Sequence, residues 1–331
     1  MTNSTSLKKK AAYISLVIGI GMFLSKMGAF LITGSAAIFS DAAESVVHVL
    51  ATSMALFSII LASRPADDSH LYGHGNIEFF SAGVEGLLIV IAAIVIIYTS
   101  VLDMMRGPHL KSLDIGVYII SAAGAINLFL GFYLIRTGKK TNSLTLIADG
   151  KHVLTDSYTS IGVIVGIIIV MITGIEFIDP LFAIVVAINI VFTGYNLIRQ
   201  SIGGLMNETD KEVLNKLVTK LNSMRKDYWI DIHQLRFWKS GDKVFIDFHL
   251  ILPYYFTIRE SHLEEEYIEE QLESEVTNFE IRVHLDYCTE HLCKYCSYEE
   301  CNVRAFEKTE NNDWTTDKLL GRPISPSTHI T

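Results

Sequence analysis

The chain has 331 residues, 50% of them hydrophobic, and 27 Lys and Arg against 36 Asp and Glu give a formal net charge of -9. No basic patch with interleaved aromatics occurs, which excludes nucleic acid as a partner by the usual electrostatic route. The apolar residues crowd the first two thirds and the acidic ones the last third, so the average conceals a membrane part followed by a water-facing part.

The chain opens with Lys8, Lys9 and Lys10, and the apolar run behind them is too long for the core of a cleavable signal. A bilayer-spanning helix needs about 20 mostly apolar residues. Six such runs are predicted, over 11–33, 37–62, 79–105, 114–136, 144–173 and 178–200. Glycine recurs in them (Gly19, Gly21, Gly28, Gly124, Gly131, Gly162, Gly166), as close packing of membrane helices requires. Lys8, Lys9, Lys10, Arg64, Arg136, Lys139, Lys140 and Arg199 fall at one face of this arrangement, and Arg106 and Lys111 flank spans at the other. The positive-inside rule then makes both termini cytoplasmic, in an integral membrane protein of a bacterial inner (plasma) membrane.

Periodicity breaks at Gly203-Gly204 and Asn207. Beyond it the pattern predicts a helix over 209–223, strands over 230–239 and 243–252 joined at Ser240-Gly241-Asp242, a helix over 258–275 and a strand over 279–286. That order, αββαβ, implies a small sheet with helices on one face. The run Glu264, Glu265, Glu266, Glu269, Glu270, Glu273 and Glu275 reads as the solvated face of the second helix. The expected organisation is a cytoplasmic segment (1–10), a six-helix transport domain (11–203), an α+β cytoplasmic domain (204–287), a Cys-rich extension (288–318) and a disordered tail (319–331).

Ionisable residues inside the apolar runs carry the chemistry. Glu44 and His48 are four apart in the second run, and His152 and Asp156 four apart in the fifth. Residues at that spacing share a helix face. An ionisable group in hydrocarbon is costly unless paired, solvated or bound to an ion. Two such faces turned together offer two imidazoles and two carboxylates, a tetrahedral set for Zn²⁺ or another divalent transition metal. The competing reading is two packed, hydrogen-bonded His–acid pairs. Asp41 and Asp149 stand three residues before Glu44 and His152, either as outer partners that orient the ligands or as polar helix-end residues facing water. In the loop after the second run, Asp67, His70 and His74 place one carboxylate and two imidazoles within eight residues.

In the soluble part, His233 and His249 could meet across the hairpin, and His284 and Asp286, two apart on a strand, share a face. His262 lies on the intervening helix. All four cysteines cluster as Cys288-x4-Cys293-x2-Cys296-x4-Cys301. This spacing suits a tetrahedral zinc ion, resembles the start of a plant-type iron–sulfur site, the weaker alternative, and is also compatible with regulatory thiols. Structural disulfides are disfavoured on the cytosolic side.

Taken together, Ser40-Asp41-Ala42 leading to Glu44 and His48, Pro65-Ala66-Asp67-Asp68 with Tyr72-Gly73-His74-Gly75, and Ala148-Asp149-Gly150-Lys151-His152 with Asp156 resemble the cation diffusion facilitator family of metal-ion/proton antiporters over roughly residues 10–288. The resemblance implies six transmembrane helices, a cytoplasmic domain of ferredoxin-like type and a homodimer in the lipid bilayer. It implies a transport site made of Glu44, His48, His152 and Asp156 and a second metal on Asp67, His70 and His74. It also implies a metal site at the dimer interface, on His233, His249, His262, His284 and Asp286. Two departures stand out. The order Glu44 then His48 is inverted relative to the usual zinc carriers, and Asn76 and Asn207 occupy positions that commonly hold a Lys–Asp contact.

The expected function is efflux of a divalent cation, Zn²⁺ first and Fe²⁺ next, in exchange for protons, with cytoplasmic metal regulating it. The rival reading is a membrane-anchored metal or redox sensor using the His and Cys clusters. An enzyme has no support: no Ser/His/Asp grouping, phosphate-binding loop or dinucleotide fingerprint occurs.

Overall fold

A computed structural model describes residues 3–33, 36–106, 114–173, 178–276 and 278–324. Within and around these ranges, the side chains at 3, 29–30, 32–44, 47, 103, 106–121, 159–160, 162–179, 182 and 186 lie outside the description. The chain divides into two compact units, Met1–Met206 and Asn207–Thr331.

The first unit consists of α1 (Asn3–Thr33), α2 (Ala36–Ala62), α3 (Ile77–Arg106), α4 (Asp114–Thr141), α5 (Leu144–Thr173) and α6 (Ile178–Leu205). Among the described residues, Ser4–Gly28, Ile77–Leu102 and Ala183–Leu205 are long and apolar enough to cross a membrane, and His48–Ala62 is a shorter apolar stretch. Many large apolar side chains on these helices point outward, including Leu24, Phe57, Ile94, Phe129 and Phe192. In water that would be a liability; against lipid it is the expected surface.

The helices approach closely where glycine faces glycine. A Cβ on Gly194 would lie 2.8 Å from the Gly86 carbonyl oxygen, and one on Gly150 2.9 Å from that of Gly131. These crossings lock α3 to α6 and α4 to α5 at backbone contact. The start of α3 is a polar junction. Lys8 of α1 pairs with the buried Glu78 at 3.1 Å. The Ser143 hydroxyl donates to the same carboxylate, and those of Ser58, Thr145 and Ser201 donate to the carbonyls of Ile77, Glu78 and Phe79 at 3.1, 3.0 and 2.7 Å. Four other helices or their flanks therefore grip this turn.

Two boundaries differ from the sequence pattern. Helix α1 begins at Asn3 and not at 11, so Lys8 lies within it and is buried. Helix α6 continues through Gly203-Gly204, because a Cβ on Gly204 would overlap the Phe79 ring that packs there. Gly204 is thus a packing position, and the helix stops at Leu205, two residues before Asn207, whose φ of 57° is a left-handed terminator.

The second unit contains α7 (Lys211–Ser223), β1 (Asp231–Ser240), β2 (Lys243–Leu252), α8 (Ile258–Leu272) and β3 (Phe279–Tyr287). Asp210 caps α7 through the amides of Glu212 and Val213, and Thr257 and Glu260 form a reciprocal capping box on α8. The sheet order is β1-β2-β3, with β1 and β2 antiparallel and β2 and β3 parallel, α8 being the crossover. Val244, Ile246, Phe248, Leu250 and Leu252 of β2 join Leu217, Leu221, Ile268 and Leu272 of the helices in one core. Alternation then sends Asp247 and His249 to the opposite face. On β1, Gln234 (φ 53°) interrupts the register between His233 and Arg236. This bulge lets both Ile232 and Leu235 reach the core while His233 stays on the other face.

The acidic run on α8 is not uniformly solvated. Glu264 is buried and accepts from Lys226 (2.8 Å), Tyr228 (3.0 Å) and the Trp229 indole (2.8 Å). Beyond β3 the chain makes a short 3₁₀ turn (Glu290–Tyr295) and then α9 (Thr316–Leu320). Trp314 stacks on Trp229 with ring centroids 6.5 Å apart, and Leu319 is fully buried in the main core. Residues 319–324, expected to open a disordered tail, are part of the fold: the Ile324 amide donates to Asp231 at 3.3 Å. The remainder of that stretch, 325–331, lies outside the described residues.

Asp231 is the anchor of this extension. Its carboxylate is fully buried and receives Lys318 at 2.7 Å and the Asn312 amide at 3.1 Å. Burial pushes the carboxyl up, but His233, Lys318 and Asn312 together outweigh it and hold Asp231 below the usual carboxylate range.

Candidate functional site: three histidine–carboxylate groups and a thiol cluster

Within the apolar unit, α2 presents His48 and α5 presents Asp149, His152 and Asp156, spaced three and four apart along one stripe. The two helices are in contact. His48 Nδ1 lies 3.3 Å from Asp156 Oδ2, and the imidazoles of His48 and His152 meet edge to face at 5.4 Å. One ligand atom from each of His48, His152 and Asp156 falls within 4.8 Å of the others. Three of the four residues expected of the transport site are therefore brought together. Glu44, the fourth, sits on α2 one turn before His48, and its side chain lies outside the described residues, as does that of Asp41.

Both imidazoles are almost wholly buried, and among the described residues His48 Nε2 and His152 Nδ1 have no hydrogen-bond partner. Unpaired buried ring nitrogens are expensive. A divalent cation accepting their lone pairs removes that cost, so the donor set fits a borderline metal as substrate. Asp149 is fully buried and accepts the Thr52 hydroxyl at 3.1 Å, tying α5 to α2 just beside the ligands. It is an interior residue, and the reading as a helix-end group facing water does not hold.

The sequence pattern passed over Glu85. This α3 carboxyl is fully buried, among the described residues neither oxygen has a hydrogen-bond partner, and Asp149 is the charged group that bears on it. A lone carboxylate without an i+4 metal-type neighbour gives no spacing signal. Its position in an apolar run was the one available cue.

In the loop between α2 and α3, Asp67 Oδ1 accepts from the amides of Ser69 (3.0 Å) and His70 (2.8 Å) and from the Ser69 hydroxyl (2.8 Å). Above all the Ser69 hydroxyl holds its carboxyl well below the usual range. His70 Nδ1 and His74 Nε2 each stand 3.3 Å from Asp67, and the two rings are 4.4 Å apart. The loop does gather the three residues, with one ligand atom of each inside 4.8 Å.

In the second unit, strand register builds the third group. His233, His249 and His284 are paired in line across β1, β2 and β3. Asp286 lies between them: His249 Nδ1 is 2.8 Å and His233 Nε2 3.5 Å from Oδ2, and His284 Nε2 is 3.5 Å from Oδ1. His233, His249 and Asp286 form the compact ligand set. On the far side of the His233 ring, Nδ1 faces Asp231 at 3.6 Å. His262 is not gathered with them. It stands exposed on α8 with its nitrogens 3.3 and 3.6 Å from Glu265 and Glu266.

The four cysteines, all in thiol form, line one small cavity with Ile230, Pro253, Leu292, Tyr298 and Arg304. Burial pushes the Cys288 and Cys296 thiols up.

Residues 12–206 match the model of the cation efflux transmembrane domain, and residues 209–288 match that of the cation efflux protein cytoplasmic domain. An uncharacterised transporter of Synechocystis is 35% identical over 274 residues, covering 82% of this chain and 88% of the relative. A cadmium, cobalt and zinc/H(+)-K(+) antiporter of Bacillus subtilis is 28% identical (80% and 85% covered). A manganese efflux system protein of the same organism is 26% identical (77% and 88% covered). The matches end at 288, so Cys293, Cys296 and Cys301 fall outside both family models.

Proposed function

Because this chain belongs to the cation efflux family of membrane transporters, we propose that it exports a divalent transition metal, Zn²⁺ above all, from the cytoplasm in exchange for protons. The observation that carries this reading is the buried group His48, His152 and Asp156, whose orphaned ring nitrogens need a ligand. Two imidazoles and carboxylate oxygen suit a borderline ion such as Zn²⁺ or Fe²⁺ better than Mg²⁺. Glu44, one turn before His48, completes four-fold coordination.

Metal ligation requires neutral imidazole and ionised carboxylate, so protons and the cation compete for the same atoms. On the cytoplasmic side the cation displaces protons. On an acidic far side protons displace the cation, and the protonated site returns. The backbone-tight pairs α3/α6 and α4/α5 suit rigid-body rocking, and the helix pairs can expose the site alternately. Asp149, hydrogen-bonded to Thr52, orients the α5 face. Both termini lie in the cytoplasm, the membrane is a bacterial plasma membrane, and the working form is a homodimer. In that dimer the sheet group of His233, His249 and Asp286, with His284 and His262, takes cytoplasmic metal and shifts the equilibrium toward the transporting arrangement.

The test is Zn²⁺ uptake into inverted vesicles under an imposed pH difference. His152→Ala, expressed and folded to wild-type level, loses uptake. Uptake by that variant at the wild-type rate and pH dependence would refute the assignment.

A further inference from the structure

The geometry points to a fourth metal centre: we infer that Cys288, Cys293, Cys296 and Cys301 hold one zinc-type divalent ion as a tetrathiolate, and that this ion staples the C-terminal extension to the cytoplasmic sheet. The centre is structural and is not part of the transport pathway. It therefore stands or falls independently of the proposed function.

Three features carry the inference. The first is convergence. Four thiols contributed by the residue after β3, the 3₁₀ turn and the loop after it all line one cavity of about 20 Å³. That volume admits one ion or one water. The thiols ring the space without yet forming the compact ligand groups found at the three histidine sites. An ion with Zn–S distances of about 2.3 Å draws them in.

The second feature is a cation built into the wall: Arg304 lines the same cavity as the four thiols. Four thiolates around a dication leave a negative excess, and the Arg304 guanidinium, whose charge bears on Cys296, offsets it. The same guanidinium holds the ligand loop in shape by donating to the carbonyls of Cys293 (3.3 Å), Cys296 (3.2 Å) and Tyr298 (2.6 Å).

The third feature is need. Between β3 and α9 the chain has one short 3₁₀ turn, and its buried apolar side chains are Leu292 and Cys296, packed on Ile230 and Ile251, and Trp314 in the main core. A segment this short and irregular ordinarily requires a metal or disulfide staple. Among the described residues no disulfide is formed, and a reducing cytosol would not maintain one.

The experiment uses the full-length protein in detergent, metal-exchanged with Co²⁺. Thiolate ligation produces sulfur-to-cobalt charge transfer in the near ultraviolet, which histidine and carboxylate sites do not give. The wild type should show that band, and His152→Ala should keep it. Cys296→Ser and Cys301→Ser should each weaken or lose it and release one equivalent of zinc per chain. Should the Cys variants fail to fold, chelation of the wild type decides: as the metal is stripped, four thiols become reactive toward a thiol reagent. Absence of the band in metal-replete wild type overturns the inference. So does a brown preparation containing iron and acid-labile sulfide, or recovery of fewer than four thiols without reductant.

Discussion

Lys318→Met tests how the extension is held. Methionine keeps the apolar stem and removes the ammonium that sits 2.7 Å from Asp231. The carboxylate is fully buried, so the variant leaves a charge in the interior with reduced compensation. Losing one partner of a buried pair costs about 3–5 kcal/mol. The lower end applies here because the Asn312 amide and the Ile324 N–H still donate to Asp231. For a unit of this size, about 3 kcal/mol lowers the unfolding midpoint by roughly 10 °C. The assay is near-ultraviolet circular dichroism in detergent, followed through the stacked Trp229 and Trp314. Acid supplies a second check. The Asp231 carboxyl is held low in the folded state, so its contribution is fully present above the unfolded carboxylate value of about 3.9 and is lost as pH falls through the lower folded value. The difference between wild type and variant should be constant from pH 7 to 5 and should shrink below pH 4. A midpoint shift under about 2 °C, or one undiminished at pH 3, would refute the reasoning.

Three further outcomes are expected. Gly150→Ala places a Cβ 2.9 Å from the Gly131 carbonyl oxygen and should cost about 1–3 kcal/mol of overpacking, whereas Gly28→Ala, with none of the described residues within 4 Å, should be neutral; thermal unfolding of the two in parallel decides it. His249→Ala removes the central member of the His233–His249–His284 row and should weaken cytoplasmic Zn²⁺ binding at least about tenfold, the scale even an outer partner reaches, as read by competition with a fluorescent chelator; unchanged affinity would remove that site. Asp67→Ala should abolish metal capture at the loop while leaving the thiolate band and the membrane group intact, and equilibrium dialysis of the variant should show a fall of one ion per chain.

Much of this was legible from spacing. The i, i+4 pairs placed His48 on one helix face and His152 with Asp156 on another, and the hairpin cue at Ser240-Gly241-Asp242 placed β1 and β2 correctly, because both signals are local. What escaped depends on tertiary contacts. Gly203-Gly204 reads as a breaker until Phe79 is seen packed upon it. Lys8 reads as a surface cation until Glu78 is found beside it. Glu264 is one acid among seven in sequence, and only the fold supplies Lys226, Tyr228 and Trp229 as its donors. Glu85 carries no pattern at all. Leu319 and Ile324 look like tail residues because their partners, the core leucines and Asp231, lie some 90 residues away in sequence.

The central claim is that the pocket between α2 and α5 trades a divalent cation for protons. Proteoliposomes loaded with both a Zn²⁺ indicator and a pH indicator read the two fluxes at once. Zn²⁺ added outside should enter while the lumen turns alkaline, and His48→Ala and Asp156→Asn should abolish both signals together. Zn²⁺ entry with no proton movement, or coupled flux surviving in either variant, would contradict the account.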